Sequence, residues 1–156
     1  PAEFATDTAS SSSAIAHALN VIGQTDYIVE LMCTSPFKTT QDVDEVIEKL
    51  HNTTADSVVG VARILDHHPA RLKYIVDDQL MNFFPEEKES RRQDLKPEAY
   101  VRNGSIYAFT FESFKKYNSR YGGITRPYIM SDVKSINIDE PYDLMVAQMI
   151  GEKNGL

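Results

Sequence analysis

The chain has 156 residues, of which 42% are hydrophobic and 25% charged, and its formal net charge is −7; we expect one globular domain and not a general nucleic-acid binder, which would carry a basic face. Its single cysteine, Cys33, excludes an internal disulfide and favours a reducing compartment, so a cytoplasmic location is expected. No apolar run approaches the ~20 residues needed to cross a bilayer and no signal peptide is visible, so we expect no membrane partner.

The first half of the chain alternates helical and strand patterns. Apolar residues at helical spacing predict a helix over residues 15–22, and a second such stripe, with Thr40 as its cap, predicts one over 40–50. Two nearly continuous apolar runs, over 26–33 and 57–62, are typical of strands buried on both faces of a parallel sheet. Strand, helix and strand in this spacing predict a βαβ unit with a right-handed crossover.

A strand–turn–strand pattern follows. Residues 72–76 and 80–84 are β-prone and flank Asp77-Asp78-Gln79, which predicts a β-hairpin. Its apolar side chains would be exposed on a thin hairpin, and an exposed apolar patch usually marks an interface. We therefore expect an antiparallel dimerisation excursion at about 72–102, with a charged loop over 85–96 inside it.

The last third of the chain returns to the core. Its pattern predicts a long strand over 99–111, a short helix over 111–117 and a short edge strand over 127–130. Pro141 can occupy the first turn of a last helix. Strands and helices thus alternate again, which favours an α/β core.

The segment 135–139 offers a candidate site. Ile136 and Ile138 alternate with Asn137 and Asp139, which predicts a strand that ends in a carboxylate. In open α/β sheets, ligands bind beyond the carboxyl ends of strands, and a carboxylate there could hold Mg²⁺ together with substrate phosphates. The alternative is that Asp139 caps the last helix.

Arginines lead into an Asn-Gly step in the long strand. Arg91 and Arg92 carry rigid forks of donors that suit carboxylate and phosphate, although Arg91 suits a solvated rim position as well. The step Asn103-Gly104 tolerates a positive φ, so the backbone can approach a ligand closely. We expect this segment, including Asn103, to bind an anionic substrate.

Five motifs occur in the order and spacing of one enzyme family. They are Thr34-Ser35-Pro36-Phe37-Lys38-Thr39, Arg92-Gln93-Asp94-Leu95, Tyr100-Val101-Arg102-Asn103-Gly104-Ser105-Ile106-Tyr107, Tyr128-Ile129-Met130 and Ser135-Ile136-Asn137-Ile138-Asp139. Over nearly its whole length the chain resembles the N-acylneuraminate cytidylyltransferases (CMP-sialic acid synthetases). The resemblance implies a Rossmann-like α/β nucleotidyltransferase with a mixed sheet, of the nucleotide-diphospho-sugar transferase type. Residues 1–156 would be a single partial domain, the C-terminal two-thirds of the catalytic unit.

The resemblance implies an enzyme that transfers CMP from CTP to a sialic-acid-like nonulosonic acid. The anomeric hydroxyl of the sugar would attack the α-phosphate, and pyrophosphate would leave. Mg²⁺ (or Mn²⁺) would offset phosphate charge, with Asp139 as catalytic metal ligand and Asn137 as a second ligand, in a homodimer. Two alternatives stay open: a truncated, non-catalytic module that only dimerises or binds a sugar acid, and a relative that activates legionaminic, pseudaminic or 3-deoxy-octulosonic acid.

The resemblance also implies substrate-binding residues. Arg92 corresponds to a family arginine that contacts the sugar carboxylate, and Arg102 falls near a basic position linked to phosphate binding. Arg71 or Lys73 would add a basic group that reaches across a dimer interface. Two aromatic residues correspond to positions that line the sugar pocket, with an ordinary place in the core as the alternative: Tyr107 and Tyr121.

The chain departs from the family pattern at several points. Asn137 replaces a frequent second carboxylate, and Met32 and Cys33 replace a Gln and a Pro, so a family glutamine that binds the sugar is absent. A Gly-, Ser- and Lys-rich nucleotide loop has no counterpart between Pro1 and Phe37. Because the chain also begins without an initiator Met, we expect a fragment that cannot turn over CTP by itself.

Overall fold

A mixed sheet of four strands forms the centre of the fold. The computed structural model describes residues 1–85 and 91–155. Its strands are β1 (Tyr27–Leu31), β2 (Ser57–Arg63), β3 (Lys73–Val76), β4 (Gln79–Asn82), β5 (Tyr100–Thr110) and β6 (Thr125–Met130). Its α-helices are α1 (Ser11–Ile22), α2 (Thr40–His51), α3 (Phe111–Tyr117) and α4 (Pro141–Asn154).

The strand order in the sheet is β1-β5-β2-β6. Strand β5 runs antiparallel to both β1 and β2, whereas β6 runs parallel to β2, so β1, β2 and β6 all point the same way. The predicted α/β class with a mixed sheet is confirmed. The two strands of the predicted βαβ unit, β1 and β2, are parallel, but they are not neighbours because β5 lies between them.

The position of β1 corrects one prediction. The sequence predicted a strand buried on both faces over 26–33, but β1 is shorter and its side chains are only partly buried. It is the outer strand, so it has a hydrogen-bonded neighbour on one side within the described sheet. Cys33 lies beyond its end and is exposed. Strand β2 does agree with the prediction, since it is buried from Ser57 to Ala62.

Helices cover both faces of the sheet. On one face α2 packs against the strands in a buried cluster of Val46, Leu50, Ala55, Val58, Ile106, Ala108 and Met130. On the other face α1 and α3 pack against a second cluster, which contains Val59, Tyr107, Phe109 and Phe114. The two clusters alternate along β5, as the two-residue period of a strand requires.

Side-chain caps fix the starts of the first two long helices. The Ser10 hydroxyl accepts from the Ser13 N–H at 3.1 Å at the start of α1. Helix α2 is capped by Thr39 and not by the predicted Thr40. The Thr39 hydroxyl accepts from the Asp42 N–H at 3.4 Å, and the Asp42 carboxylate accepts from the Thr39 N–H at 2.7 Å, which is a capping box.

The hairpin of β3 and β4 is present as predicted. Its turn residues Asp77 and Asp78 have φ values of 46° and 62°, the left-handed values that a tight two-residue hairpin turn requires. Its apolar side chains face solvent, with Ile75 73% and Leu80 69% exposed. Of the predicted charged loop, residues 86–90 lie outside the described residues, and Arg92–Asp94 form a 3-10 turn.

The predicted strand over 135–139 is wrong. Val133–Ser135 form a 3-10 turn, and the chain then passes Thr34, whose carbonyl oxygen accepts from the Ile138 N–H at 2.8 Å. Side-chain contacts fix the position of this segment, in place of the ladder of main-chain hydrogen bonds that would fix a strand. Helix α4 then begins at Pro141, as predicted. The helices in the described ranges are all too short or too polar to span a bilayer.

Candidate active site

The carboxyl ends of β1, β2 and β6 meet at one edge of the sheet because these strands are parallel. Strand β5 is antiparallel, so its first residues lie at the same edge. Three sequence motifs are therefore brought together there: the loop that begins at Thr34, the step Asn103-Gly104, and the segment 131–140. This edge is where open α/β sheets bind ligands.

Asn137 and Asp139 lie together at this edge. The Asn137 Nδ2 donates to Asp139 Oδ2 at 2.5 Å, and Asn137 Oδ1 accepts from the Ser35 hydroxyl at 3.4 Å. Gly104 has a φ of +70°, and a Cβ built on it would lie 4.0 Å from Asn137 Oδ1. The backbone of the Asn-Gly step thus faces the carboxylate segment.

Asp139 does not cap α4. Glu140 holds the cap position, and the Asp143 carboxylate accepts from the main-chain N–H groups of Asp139 and Glu140 at 3.0 and 2.9 Å. The helix start therefore uses Asp143, which leaves the Asp139 carboxylate to its bond with Asn137.

The donor set around Asp139 fits a cation that is shared with phosphates. It consists of one carboxylate and one amide, and the residues described here contain no group of three or more His, Cys, Asp or Glu that could hold a metal ion. Mg²⁺ commonly binds through one or two carboxylates, with water and substrate phosphates completing its shell. The Asn137 amide would have to rotate, because its NH₂ group now faces Asp139.

Asn103 is buried, and its side chain is used inside the protein. Its Nδ2 donates to the Ser135 hydroxyl at 2.9 Å and to Met130 Sδ at 3.1 Å, while its Oδ1 accepts from the Ser105 N–H at 3.1 Å. Gly60 leaves room for it, since a Cβ there would lie 2.8 Å from Asn103 Oδ1. Contact between the Asn-Gly step and a substrate would therefore come from its backbone.

A cluster of arginines and tyrosines lies on the α1/α3 face of the sheet. Arg102 Nη1 donates to the Tyr121 hydroxyl, and its guanidinium carbon lies 5.2 Å from the centre of that ring. Tyr121 meets Tyr107 edge-on at 6.2 Å between ring centres. Arg120 lies 4.3 Å over the Tyr107 ring and forms an ion pair with Glu30 at 2.9 Å. The geometry thus joins three of the predicted substrate-binding residues.

A cavity of about 260 Å³ adjoins this cluster. It is lined by Val59, Val61, Arg102, Tyr121, Thr125, Arg126 and Pro127. Burial, followed by the nearby Tyr121, raises the pKa of Tyr107, so its hydroxyl stays protonated at neutral pH. The sequence analysis did not single out Arg120 or Arg126; the position of Arg120 next to Tyr121 was the available signal.

Of the remaining predicted basic residues, Arg71 and Lys73 lie at the start of the hairpin, and Arg92 lies beside Asp66. Arg92 Nη1 contacts Asp66 Oδ1 at 2.6 Å in an exposed ion pair, and lines a cavity of about 170 Å³. Arg71 ends a 3-10 turn, and Lys73 Nζ donates to Asn82 Oδ1 at 2.6 Å across the hairpin. Such exposed pairs contribute little to stability, so Arg92 can exchange Asp66 for another carboxylate at low cost.

A buried carboxylate connects α2 to the segment that carries Asp139. Asp42 is 2% exposed, and its two oxygens accept from Lys134 Nζ at 2.7 and 2.9 Å. The hydroxyls of Thr39 and Tyr128 donate to it at 2.7 and 3.0 Å. Burial acts to raise the pKa of Asp42, but the hydrogen bonds from Lys134, Thr39 and Tyr128 outweigh it and lower the pKa to about 2.

We expect Asp42 to make the fold acid-sensitive. Its pKa falls from 3.8 to about 2 on folding, so its stabilisation is complete above the unfolded value and is lost as pH falls through this window. The shift corresponds to about 2 kcal/mol in the free energy of unfolding. We expect the free energy of unfolding, measured with urea, to fall between pH 6 and pH 2 by about 2 kcal/mol less in Asp42→Asn than in the unmodified chain. The exposed Asp44→Asn is the matched control, and equal losses in both variants would contradict the assignment.

The chain is similar in sequence to curated cytidylyltransferases, and its fold is similar to that of a solved nucleotide complex. It is 30% identical, over 98% of its length, to the N-acylneuraminate cytidylyltransferase of Escherichia coli. It is 26% identical, over 92% of its length, to the enzyme of that name from Streptococcus agalactiae serotype V. These matches take up 36% and 34% of the two relatives, so the chain spans about a third of their length. No protein-family profile matches the chain.

A solved structure with a similar fold is a CMP:2-keto-3-deoxy-manno-octonic acid synthetase complexed with CTP. The TM-score is 0.62 at 14% sequence identity, with 95% of this chain and 70% of that chain covered. At this identity the likeness shows the fold alone. The α/β fold expected from the sequence is thereby supported by a likeness in three dimensions.

Proposed function

We propose that this chain, whose similarity to N-acylneuraminate cytidylyltransferases extends over 98% of its length, is the partial catalytic domain of an enzyme that transfers CMP from CTP to a sialic-acid-like nonulosonic acid. The observation that carries the proposal is the meeting of Thr34-Ser35, Gly104 and Asp139 at the carboxyl edge of the sheet. These are separate motifs in the sequence, and a nucleotidyl transfer site needs them in one place.

Asp139 and Asn137 would hold a Mg²⁺ ion in this site. The bound ion would supply charge stabilisation to the phosphates of CTP. The chain itself contributes position, because the Asp143 carboxylate accepts from the Asp139 N–H and so fixes the main chain of Asp139. Gly104 has a positive φ, which favours glycine, and because glycine has no Cβ it places no side chain in the approach to these groups.

The sugar acid would bind through arginine and tyrosine. Tyr107 and Tyr121 offer ring faces and edges to the body of a sugar, and Arg102 offers donors beside the adjoining cavity. The Arg92 fork suits the sugar carboxylate. For Arg92, Arg71 and Lys73 we propose a role in the site of a partner subunit.

We expect the hairpin to mediate a homodimer. Ile75 and Leu80 are cross-strand partners and are 73% and 69% exposed, so burying both against a second copy would be favourable. At micromolar concentration, sedimentation velocity should show a dimer for the unmodified chain and a monomer for Ile75→Glu/Leu80→Glu. The control is Val21→Glu, equally exposed at 73% but on α1. A monomeric unmodified chain, or a dimer that survives the double change, would contradict this role.

We expect Mn²⁺ to bind at Asp139. In the chain titrated with Mn²⁺ alone, paramagnetic broadening should affect the amide signals of residues 137–140 before those of the sheet, because Asp139 supplies the carboxylate that the site requires. Asp139→Asn should abolish this selective broadening, whereas Asp7→Asn should not. Equal broadening in both variants would contradict the metal role of Asp139.

Separate titrations of sugar acid and CTP distinguish the proposed enzyme from the two alternatives. Binding of a nonulosonic acid without binding of CTP by the native protein would favour a non-catalytic module. A preference for legionaminic, pseudaminic or 3-deoxy-octulosonic acid over N-acetylneuraminic acid, at matched concentration, would favour the related enzyme. Binding of both CTP and N-acetylneuraminic acid is the result expected for the proposed function.

A further inference from the structure

The segment 131–140 carries Asp139 but has little regular structure to hold it. It contains one 3-10 turn, Val133–Ser135, and meets the loop after β1 through the 2.8 Å bond from the Ile138 N–H to the Thr34 carbonyl. A single short turn does not fix a segment by itself. The position of Asp139 therefore depends on side chains that anchor the segment elsewhere.

Lys134 provides one such anchor. Its Nζ reaches both oxygens of Asp42, 92 residues away in the sequence, at 2.7 and 2.9 Å, and lies 3.4 Å from the Thr39 hydroxyl. The adjacent Ser135 accepts from the Asn103 amide at 2.9 Å. The turn is thus held on one side by α2 and on the other by β5, directly before the site residues.

The α2 end of this anchor is rigid. Asp42 is 2% exposed and belongs to the capping box with Thr39, at the end of the helix where the backbone dipole favours negative charge. Four residues further on, Val46 is fully buried, and eight residues further on, Leu50 also lies in the core. A cation bonded to both Asp42 oxygens is therefore fixed relative to the sheet.

We propose that Asp42 and Lys134 are a positioning pair for the proposed nucleotidyl transfer, in which they hold the turn Val133–Ser135 against α2 and so set the Asp139 carboxylate at the carboxyl edge of the sheet. The inference rests on the proposed function for the role of Asp139. It assigns no substrate contact to Lys134. Hydrogen bonds between charged groups have a defined geometry, whereas apolar contacts do not. Such a pair therefore suits a role in positioning a ligand group.

Amide hydrogen exchange of the chain tests the pair. In Lys134→Met, the Ile138 amide should exchange at least about tenfold faster, because its bond to Thr34 depends on the anchored turn, while the Ala108 amide in β5 should be unchanged. Lys134→Arg keeps a cation at the position and should restore the protection of Ile138. Lys153→Met, an exposed lysine on α4, is the control. If Lys134→Met unfolds the chain, Asp42→Asn/Lys134→Met removes both charges and takes its place.

The Mn²⁺ titration on the same samples connects the pair to the site. Lys134→Met should require at least about tenfold more Mn²⁺ for equal broadening of residues 137–140. An Ile138 amide that keeps its exchange rate, or broadening that keeps its Mn²⁺ dependence, would overturn the inference. If Mn²⁺ broadens nothing even in the unmodified chain, the metal role of Asp139 has failed, and the Ile138 exchange rate alone then decides whether the pair positions the segment.

Discussion

Replacing Asp139 with Asn is expected to lower kcat for CMP transfer by at least about 100-fold in the native protein that carries this chain. The change keeps the size of the side chain and removes the only negative charge in the Asn137–Asp139 pair. A bound divalent ion contributes several kcal/mol of charge stabilisation to a phosphoryl reaction, and about 2.7 kcal/mol corresponds to 100-fold. The measurement is the rate of pyrophosphate release at saturating CTP and sugar acid.

The matched control for Asp139→Asn is Asp132→Asn. Asp132 lies in the same segment, is exposed, and makes no side-chain capping bond to the turn that follows it. Its replacement should leave kcat within about twofold of the unmodified enzyme, as is usual for a surface change. A kcat for Asp139→Asn within the same twofold range would contradict its place in the site.

Replacing Phe109 with Ala should lower the free energy of unfolding by about 3–5 kcal/mol. Phe109 is fully buried near the end of β5 and stacks on Phe114 of α3, with 5.5 Å between ring centres. Truncation leaves a cavity between the sheet and the helix and removes the contact that holds α3 in place. Urea unfolding at pH 7 measures the loss.

Ile129→Ala is the control for Phe109→Ala. Ile129 lies on the outer strand β6 and is 59% exposed, so its truncation should cost less than about 1 kcal/mol. If Phe109→Ala lowers the free energy of unfolding by less than about 1 kcal/mol, β5 is not the well-packed inner strand that the strand order indicates.

Local patterns in the sequence predicted most of the elements but not the neighbours of the strands. The helices α1, α2, α3 and α4 follow from apolar periodicity, caps and Pro141. The hairpin follows from two β-prone runs, although Gln79, predicted in the turn, is the first residue of β4. The insertion of β5 between β1 and β2 is a pairing between distant parts of the chain, which no local pattern specifies. For the same reason β1 was predicted as a strand buried on both faces, because the composition of a strand does not show whether it lies at the edge of the sheet.

The sequence indicated which residue types form the candidate site better than it indicated what those residues contact. Asp139 was proposed as a site residue because a carboxylate followed an alternating apolar segment, although that segment is not a strand. The amide of Asn103 bonds inside the protein, and Arg120 completes the tyrosine cluster; both facts depend on contacts between residues distant in sequence. The anchor from Lys134 to Asp42 is of the same kind.

Phosphorus NMR of the native protein with CTP, Mg²⁺ and N-acetylneuraminic acid tests the central claim most directly. The proposed function predicts that the three CTP signals are replaced by those of pyrophosphate and of one phosphodiester, the CMP-sugar, in equal amounts. Arg102→Ala, beside the tyrosine cluster, should slow this conversion by raising the KM for the sugar acid, with the CTP signals themselves unchanged in position. Intact CTP signals after prolonged incubation of the unmodified protein with this sugar acid and with its nonulosonic relatives would contradict the claim.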